Sequence, residues 1–312
     1  MSELGINLSF AVKRWPEPEV WCQIVREQLG LSQVQVTFDL LDPDWPEGFR
    51  RAKADRIRRA AADWDISIHS AFVGLAAYTY NGLLDPDPDG RAASLEWWGR
   101  AIDVAGNLGA GAVGGPLGAM SVADAADAGR RERLTEEMID AIVVLTGAAR
   151  EANLDAFLIE PTPLAREIPH TPEQASWLLD RLGGQVAVPV SYVIDLGHAL
   201  YRPLYGDAAG TGQWFAALGD RIGALHLQNT DFQSDSHWGW PDDRGRLDVA
   251  DFARELRDTR LTDTPVFLEI FYPFELADEV VLQSVISSVS HCREALRLPD
   301  LRSTRDQDVV RV

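Results

Sequence analysis

The segment AFLIE at residues 156–160 is a short apolar run that ends in a carboxylate, and the second half of the chain repeats this pattern. VSYVID at 190–195 ends in an aspartate, ALH at 224–226 ends in a histidine, and PVFLE at 265–269 ends in a glutamate. A buried strand that ends in an ionisable group needs a partner for that group, because an unpaired buried charge is very costly. One shared divalent metal is the simplest partner for all of them. The carboxyl ends of strands in a parallel barrel converge on one face, so distant segments can share one ion.

Around these segments, short apolar runs alternate with longer runs of helical period, which is typical of βα units and a parallel sheet. The predicted strands are 4–10, 33–39, 66–72, 112–115, 156–160, 190–195, 224–228 and 266–270. The predicted helices are 18–29, 47–64, 91–108, 130–152, 171–182, 213–218, 249–259 and 277–296. The predicted fold class is therefore α/β, a single (β/α)8 TIM barrel over residues 1–296. An open doubly wound sheet is disfavoured because LSFAVK at 8–13 offers no glycine-rich turn after the first strand.

The composition limits the partners and the location of the chain. Its 312 residues, 46% of them hydrophobic, can bury a substantial core. The net charge of −19 would repel phosphate polymers, so a nucleic-acid partner is disfavoured. Cys22 and Cys292 form no CxxC pair, which argues against both a disulfide framework and a thiolate metal site. Without a signal-peptide pattern or a long apolar run, we expect a cytoplasmic protein with no membrane span. We expect residues 297–312 to form a mobile tail or a contact in a homo-oligomer.

The four strand-end residues form a hard, mostly oxygen ligand set with one imidazole. Glu160, Asp195, His226 and Glu269 suit Mn²⁺, Mg²⁺ or Co²⁺ better than a structural zinc, which favours thiolates and histidines. Any one of these residues alone could instead be a strand-end group bonded to a neighbouring loop. Their occurrence on strands five to eight in order favours one shared metal.

Further polar residues are expected at the same level of the barrel. His198 lies three residues after Asp195 and could reach a substrate oxygen or a second metal, or could cap a helix. His69 and Ser70 lie toward the end of the third predicted strand and are expected to face the same opening, unless His69 is a core histidine. Asp235 and His237 form an Asp-x-His pair after strand seven, which can ligate a second ion or fix a long loop.

The order Glu, Asp-x-x-His, His, Glu at the ends of strands five to eight resembles the xylose isomerase-like superfamily of barrels. That superfamily holds sugar and sugar-phosphate isomerases and epimerases together with the type IV apurinic endonucleases. Other segments look like the branch that acts on tetrulose phosphates, the erythrulose phosphate 3-epimerases. These segments are GINLSFAVKRW at 5–15, AYTY at 77–80, EPTP at 160–163, DLGHAL at 195–200 and HLQ at 226–228.

The resemblance implies a mechanism for the strand-end residues. In the ketose 3-epimerases of this group, the metal holds the carbonyl oxygen and the adjacent hydroxyl oxygen, and two metal-bound glutamates flank the carbon. The resemblance implies that the two glutamates of this chain are Glu160 and Glu269. One would remove the proton to give an enediolate, and the other would return a proton to the opposite face of the carbon. His198 would then donate a hydrogen bond to the carbonyl-derived oxygen. The substrate would be a sugar phosphate such as erythrulose phosphate.

The sequence departs from the hexulose epimerases at one position. Those enzymes carry a second glutamate six residues after the strand-five ligand, where this chain has Arg166 followed by Glu167. An arginine there would suit a substrate phosphate, and further phosphate candidates are Lys13, Arg14 and the loop amides at 114–119. Ordinary surface charge is the alternative for these basic residues.

Three other functions remain open from the sequence. Aldose-ketose or hydroxypyruvate isomerisation would use the same metal but move the proton to the neighbouring carbon. An apurinic endonuclease would use His69, His198, Asp235 and His237 as further zinc ligands, but the fourth strand ends in GGP at 114–116 where that site needs another histidine. A sugar sensor without activity is the third, although the presence of both Glu160 and Glu269 argues against it.

Overall fold

The computed structural model describes residues 3–259 and 261–300, and it forms a closed barrel of eight parallel strands in sequence order. The strands are β1 (Leu4–Asn7), β2 (Gln33–Thr37), β3 (Ser67–Phe72), β4 (Ala112–Gly115), β5 (Ala156–Ile159), β6 (Val190–Asp195), β7 (Ile222–Leu227) and β8 (Val266–Leu268). The first strand pairs with both the second and the eighth, which closes the sheet. The predicted (β/α)8 TIM barrel is confirmed.

The helices lie around the barrel and follow the strands. They are α1 (Pro18–Gln23), α2 (Glu47–Asp63), α3 (Leu75–Tyr78), α4 (Pro88–Leu108), α5 (Val122–Ala126), α6 (Ala128–Glu151), α7 (Pro172–Leu182), α8 (Leu196–Ala199), α9 (Arg202–Tyr205), α10 (Thr211–Leu218), α11 (Val249–Asp258) and α12 (Asp278–Leu296). The first continues as a π-helical turn over Ile24–Gln28. Short 3₁₀ turns are found at Leu8–Ala11, Gly82–Leu84, Gly206–Ala208 and Gly219–Arg221.

Helix caps explain several of these boundaries. Thr171 accepts a hydrogen bond from the Gln174 amide, and Pro172 occupies the first helical position of α7. Asp127 caps α6 by accepting from the Arg130 amide. The apolar residues of α6 recur at helical spacing and are buried against the barrel, among them Leu134, Met138, Ile142 and Leu145.

The core has two parts, as a closed barrel requires. A small cluster fills the inside of the barrel and consists of Phe72, Ala112, Leu158, Val193, Ala224 and Phe267. A much larger cluster lies between the outer faces of the strands and the surrounding helices. The barrel is therefore a packed structure, and a ligand site is expected at its carboxyl end.

The first strand is shorter than the predicted 4–10. It ends at Asn7, whose side-chain oxygen accepts a hydrogen bond from the Ser9 amide and turns the chain into the 3₁₀ turn Leu8–Ala11. Asparagine favours such local bonds to its own backbone, which compete with strand pairing. The turn leaves Asn7 as the last residue of β1, at the level where the site forms.

The chain ends beyond α12 in a segment that is only partly described. Arg297 adopts a left-handed φ of 60° as the C-cap, and the Leu298 amide donates to the Arg293 carbonyl. Leu298 packs against the core. The rest of the predicted tail, residues 301–312, lies outside the described residues. In the part of the chain that the structure describes, no helix has the length and apolar character needed to span a membrane.

Candidate active site

The four strand-end residues meet at the carboxyl end of the barrel. Asp195 ends β6, His226 is the penultimate residue of β7, and Glu160 and Glu269 directly follow β5 and β8. One ligand atom from each residue lies within 4.8 Å of the corresponding atoms of the others. All four side chains are buried, with 0 to 6% of each residue exposed. The structure therefore brings the four strand-end residues together, as their positions in the sequence predict.

A shift in strand pairing brings two of these residues to the same level. Tyr192 pairs with Ile222 but Val193 pairs with Ala224, so that Gly223 is an extra residue in β7. The shift places Asp195 directly opposite His226. Bulges of this kind redirect side chains and are frequent beside active sites.

The His226 ring lies between the two glutamates. Its Nδ1 is 2.9 Å from Glu160 Oε1 and 3.0 Å from Glu269 Oε2. Burial alone would lower the pKa of His226, but Glu269 and Glu160 outweigh it and raise the pKa to about 10. Burial raises the pKa of Glu160, whereas for Glu269 the effect of burial is outweighed by His226, which lowers the pKa. Without an ion, a proton on His226 Nδ1 therefore links the two carboxylates.

Asp195 offers an oxygen that no protein group uses. Its Oδ1 accepts from the His198 amide and from Gln228 Nε2, both at 2.9 Å. Its Oδ2 is buried and has no hydrogen-bond partner among the described residues. Such an atom is rare in proteins because it loses its hydration without replacement. An unsatisfied carboxylate oxygen within reach of two glutamates and a histidine fits a divalent cation.

Side-chain amides orient these ligands. Asn7 Nδ2 donates to Glu269 Oε1 at 2.9 Å, Gln228 Nε2 donates to Asp195, and Gln35 Oε1 lies 2.7 Å from His226 Nε2. None of these three residues is among the site residues predicted from the sequence. The available signal was a polar amide within or directly after an apolar strand, as in QVQVT at 33–37.

His198, Asp235 and His237 form a second group next to the first. The Nε2 atoms of the two histidines lie 3.2 and 3.1 Å from the same oxygen, Asp235 Oδ1. Their Nδ1 atoms face backbone carbonyls, those of Pro161 and Glu269, at 3.2 Å each. The three residues also satisfy the spacing of a metal-binding group.

The charges in this second group support each other. Burial would lower the pKa of His237, but Asp235 raises it to about 9. Burial would likewise lower the pKa of His198, but Asp235 and Asp195 raise it. His237 also has a left-handed φ of 47°, a strained conformation for a residue with a side chain, held by its amide donating to Gln228 Oε1 at 2.6 Å.

A cavity of about 250 Å³ opens above both groups. Its lining combines the ligands Glu160 and Glu269 with the second group and with apolar walls from the β3 and β8 loops. The lining residues are Val73, Gly74, Leu75, Tyr78, Pro116, Glu160, Thr162, His198, Asp235, Ser236, His237, Glu269 and Phe271. Among these described residues there is no lysine or arginine. The volume suits a ligand at the small end of the usual range.

The predicted phosphate-binding residues lie away from this cavity. Lys13 is exposed, and its Nζ lies 4.7 Å from the centre of the Phe274 ring. Arg166 donates to the Met120 carbonyl, and Arg14 donates to two carbonyls and to Asp278. The structure does not bring Lys13 or Arg166 together with the four-residue set, so their role in substrate binding stays a prediction.

Glu167, next to Arg166, is the buried residue of this loop. Only 4% of it is exposed, and burial raises the pKa of its carboxyl to about 7, with Thr162 opposing the shift. Tyr78 and Thr162, which line the cavity, both oppose this rise in pKa. The sequence could not tell which of the adjacent residues 166 and 167 points inward.

The expectation that His69 faces the opening is wrong. A bulge in the pairing of β2 with β3 makes His69 an extra residue, three positions before the end of β3 at Phe72. Its ring packs against Phe267 inside the barrel, with 4.9 Å between ring centres, and its Nδ1 lies 3.1 Å from Ser70 Oγ. His69 therefore cannot belong to the second group.

Comparison with known proteins agrees with this geometry. The family model of the xylose isomerase-like TIM barrel matches residues 25–284. D-erythrulose 1-phosphate 3-epimerase of Brucella abortus (strain 2308) is 24% identical over 298 residues, covering 92% of this chain and 94% of that protein.

Solved structures are similar over nearly the whole chain. A protein provisionally called a xylose isomerase, from Rhodospirillum rubrum ATCC 11170, has a TM-score of 0.92 and 38% identity, covering 94% of this chain and 99% of its own. D-psicose 3-epimerase of Clostridium cellulolyticum H10 has a TM-score of 0.70 at 16% identity with the same coverages, and this likeness concerns the fold alone. With a family match over most of its length and a relative of this similarity, the chain belongs to the xylose isomerase-like TIM barrel family.

Proposed function

We propose that this chain is a divalent-metal-dependent 3-epimerase of a short ketose phosphate, such as a tetrulose phosphate. The chain is an enzyme of the isomerase class, as its sugar epimerase relatives indicate. One observation carries the finer proposal: two buried glutamates face each other across His226, at the floor of a small cavity. The similarity to an erythrulose 1-phosphate 3-epimerase supports the choice of substrate class.

Glu160, Asp195, His226 and Glu269 would hold the metal ion. The set of three carboxylates and one imidazole suits Mn²⁺, Mg²⁺ or Co²⁺, and the unsatisfied Asp195 Oδ2 gives the ion a vacant ligand. When bound, such a cation supplies positive charge that stabilises the enediolate left by loss of a proton next to a carbonyl.

Glu160 and Glu269 would transfer the protons. Inversion at C3 needs a base on one face of the carbon and an acid on the other, and these two carboxylates approach His226 Nδ1 from separate strands. Which of them acts as the base depends on the hand of the substrate.

His198 and His237 would bind the substrate oxygens. Both rings line the cavity, and Asp235 raises the pKa of each, so that both can donate from Nε2 once a substrate oxygen displaces Asp235. Tyr78 and Phe271 form apolar walls that shield the reacting carbon from water.

The phosphate group of the substrate would need hydrogen-bond donors or a cation near the cavity. The cavity lining contains Ser236 and the Gly74 backbone as neutral donors, and its described residues include no cation. Lys13, on the β1 loop, lies over the ring of Phe274, which follows the cavity residue Phe271 by three positions on the β8 loop. We therefore keep Lys13 as the proposed phosphate contact and Arg166 as a weaker one.

Three experiments test the proposal. The metal-depleted protein is screened with tetrulose, pentulose and hexulose phosphates and the free sugars, with Mn²⁺ or Mg²⁺ added back. The same reaction in deuterated water distinguishes epimerisation, which places deuterium at C3 and leaves the carbonyl in place, from aldose-ketose isomerisation, which moves the carbonyl. Loss of activity in Glu160→Gln is compared with Glu151→Gln, because Glu151 is an exposed glutamate at the end of α6.

The second group favours one other candidate, a metal-dependent phosphodiester hydrolase. His198, Asp235 and His237 have the spacing of a further metal site beside the first. The net charge of −19 opposes DNA binding, and nicking of a duplex with an abasic site would be the decisive assay. A cytoplasmic location and assembly into a homo-oligomer stay predictions from the sequence.

A further inference from the structure

A line of hydrogen-bonding groups crosses the inside of the barrel from His226. Gln35 Oε1 lies 2.7 Å from His226 Nε2, Gln35 Nε2 donates to Ser70 Oγ at 3.1 Å, and Ser70 Oγ lies 3.1 Å from His69 Nδ1. The line joins β7, β2 and β3 and runs away from the cavity. His226, Gln35 and Ser70 are each 0% exposed, so water cannot replace any of these partners.

The orientation of the Gln35 amide sets the direction of donation along this line. Gln35 has one oxygen and one NH₂ group, and the NH₂ group is used by Ser70. The oxygen that remains can only accept, so His226 Nε2 must carry a hydrogen. At the far end, Ser70 Oγ can donate its hydrogen to His69 Nδ1, which keeps its oxygen free to accept from Gln35. With the amide reversed, its NH₂ group would donate to His226 Nε2 and its oxygen would accept from Ser70, which would place the hydrogen of a neutral His226 on Nδ1.

The hydrogen on Nε2 determines the state of the other ring nitrogen of His226, Nδ1. Neutral imidazole carries one hydrogen, so a hydrogen on Nε2 leaves the lone pair on Nδ1. Nδ1 is the atom that faces Glu160 and Glu269. With the opposite tautomer, an N–H would point at the centre of the ligand set and no lone pair would be available for a cation.

The strand pairing provides independent support. The pairing of β2 with β3 shifts between Val34, which pairs with Ile68, and Gln35, which pairs with Ser70. His69 is the extra residue of this bulge. In unbroken register Gln35 would lie opposite His69, whereas the bulge sets the Ser70 hydroxyl beside the Gln35 amide. A bulge at this point brings together the two groups that need to meet.

We infer that Gln35 is a positioning residue that holds His226 in its metal-binding tautomer, and that Ser70 and His69 hold the Gln35 amide in the required orientation. The inference rests on the proposed metal site of the preceding subsection. It goes beyond it by assigning a role to three residues that touch neither the cavity nor the four ligand atoms facing each other. Outer partners of metal-bound histidines typically change metal affinity by about 10- to 100-fold when they are removed.

Calorimetric titration of the metal-depleted protein with Mn²⁺ tests this role. Gln35→Met keeps the volume and removes the acceptor, and we expect its dissociation constant to rise about 10- to 100-fold. Gln35→Glu keeps an acceptor for His226 Nε2, with Ser70 donating to it, and should bind at least tenfold more tightly than Gln35→Met. Gln33→Met is the matched control, because Gln33 lies two residues earlier on the same strand and face. Thermal unfolding in chelator checks that each variant is folded.

A double-mutant cycle tests whether the residues act as one line. Ser70→Ala alone should weaken Mn²⁺ binding by about 3- to 10-fold, as the loss of one neutral hydrogen bond does. In the Gln35→Met background the same change should have no further effect on binding, because the amide that Ser70 orients is already gone. Histidine ¹⁵N shifts of the Zn²⁺-loaded wild type should show His226 protonated at Nε2.

The outcomes separate this inference from the proposed function. A wild-type chain that binds no divalent ion overturns both. If the wild type binds Mn²⁺ and Gln35→Met binds it equally well, only the inference is overturned. The inference is also overturned if Gln35→Met and Ser70→Ala have strictly additive effects on the free energy of Mn²⁺ binding. Rescue by Gln35→Glu together with a non-additive cycle supports it.

Discussion

Metal binding should depend steeply on pH, because a proton and the metal compete for the same nitrogen. His226 Nδ1 lies within 3.0 Å of both glutamates, and their charges raise its pKa to about 10. At neutral pH the metal-free site therefore holds one proton that a cation must displace. Raising the pH removes the competitor, so that the affinity for the metal increases.

The size of the effect follows from one displaced proton. While the pH is below the raised pKa, the apparent dissociation constant should fall about tenfold for each pH unit. Between pH 6 and pH 8 the affinity for Mg²⁺ should therefore rise about 100-fold. The stability of the metal-free protein changes in the opposite sense. The folded pKa of His226 lies above the value of 6.5, so its contribution is fully present below pH 6.5 and is lost as the pH rises through about 10.

Calorimetry in buffers of different ionisation enthalpy measures the affinity for Mg²⁺ and the number of protons released on binding in one set of titrations. The heat of binding varies with the buffer in proportion to the number of protons released, and we expect close to one per Mg²⁺ at pH 7. Thermal unfolding of the metal-free protein from pH 6.5 to pH 10 measures how the contribution of His226 to stability is lost as the pH rises. An affinity that stays constant from pH 6 to pH 8, with no proton release, would refute the placement of His226 at the centre of the ligand set.

Three other predictions concern single residues. Glu160→Gln and Glu269→Gln should each reduce kcat by about 10³-fold or more in a steady-state assay, and the double variant should be no worse than the poorer single one, since the two act as a unit. Lys13→Ala should raise KM for the phosphorylated substrate several-fold and leave KM for the free sugar unchanged, and equal effects on both would remove Lys13 from the phosphate site. Phe157→Ala, at a fully buried position of β5, should lower the free energy of unfolding by about 3–5 kcal/mol in a denaturant titration, without altering the ligand set.

The sequence predicted most of the fold because apolar runs and helical periods are local signals. Each of the eight strands begins within about two residues of its prediction, as is usual for strong patterns. The strand-end ligands could be predicted for the same reason. A carboxylate or histidine that directly follows a buried run, as Glu160 follows AFLI, must lie at the carboxyl end of the barrel.

The residues that the sequence could not place depend on pairing between strands. His69 was expected at the opening, but the bulge between β2 and β3 makes it the extra residue and turns it toward Phe267. The same bulge sets Ser70 beside Gln35, and no feature of either segment alone indicates this contact. The choice between Arg166 and Glu167 depended on how one loop bends, and the loop buries Glu167.

The most direct test of the central claim is the fate of the C3 proton in deuterated water, with a tetrulose 1-phosphate, Mn²⁺ and the wild-type chain. Two opposed carboxylates predict that the first product carries one deuterium at C3, that the carbonyl stays in place, and that the recovered starting epimer still carries hydrogen. Deuterium in the starting epimer as well as in the product would indicate a single base. A product with no deuterium, or with a migrated carbonyl, would contradict 3-epimerisation by Glu160 and Glu269.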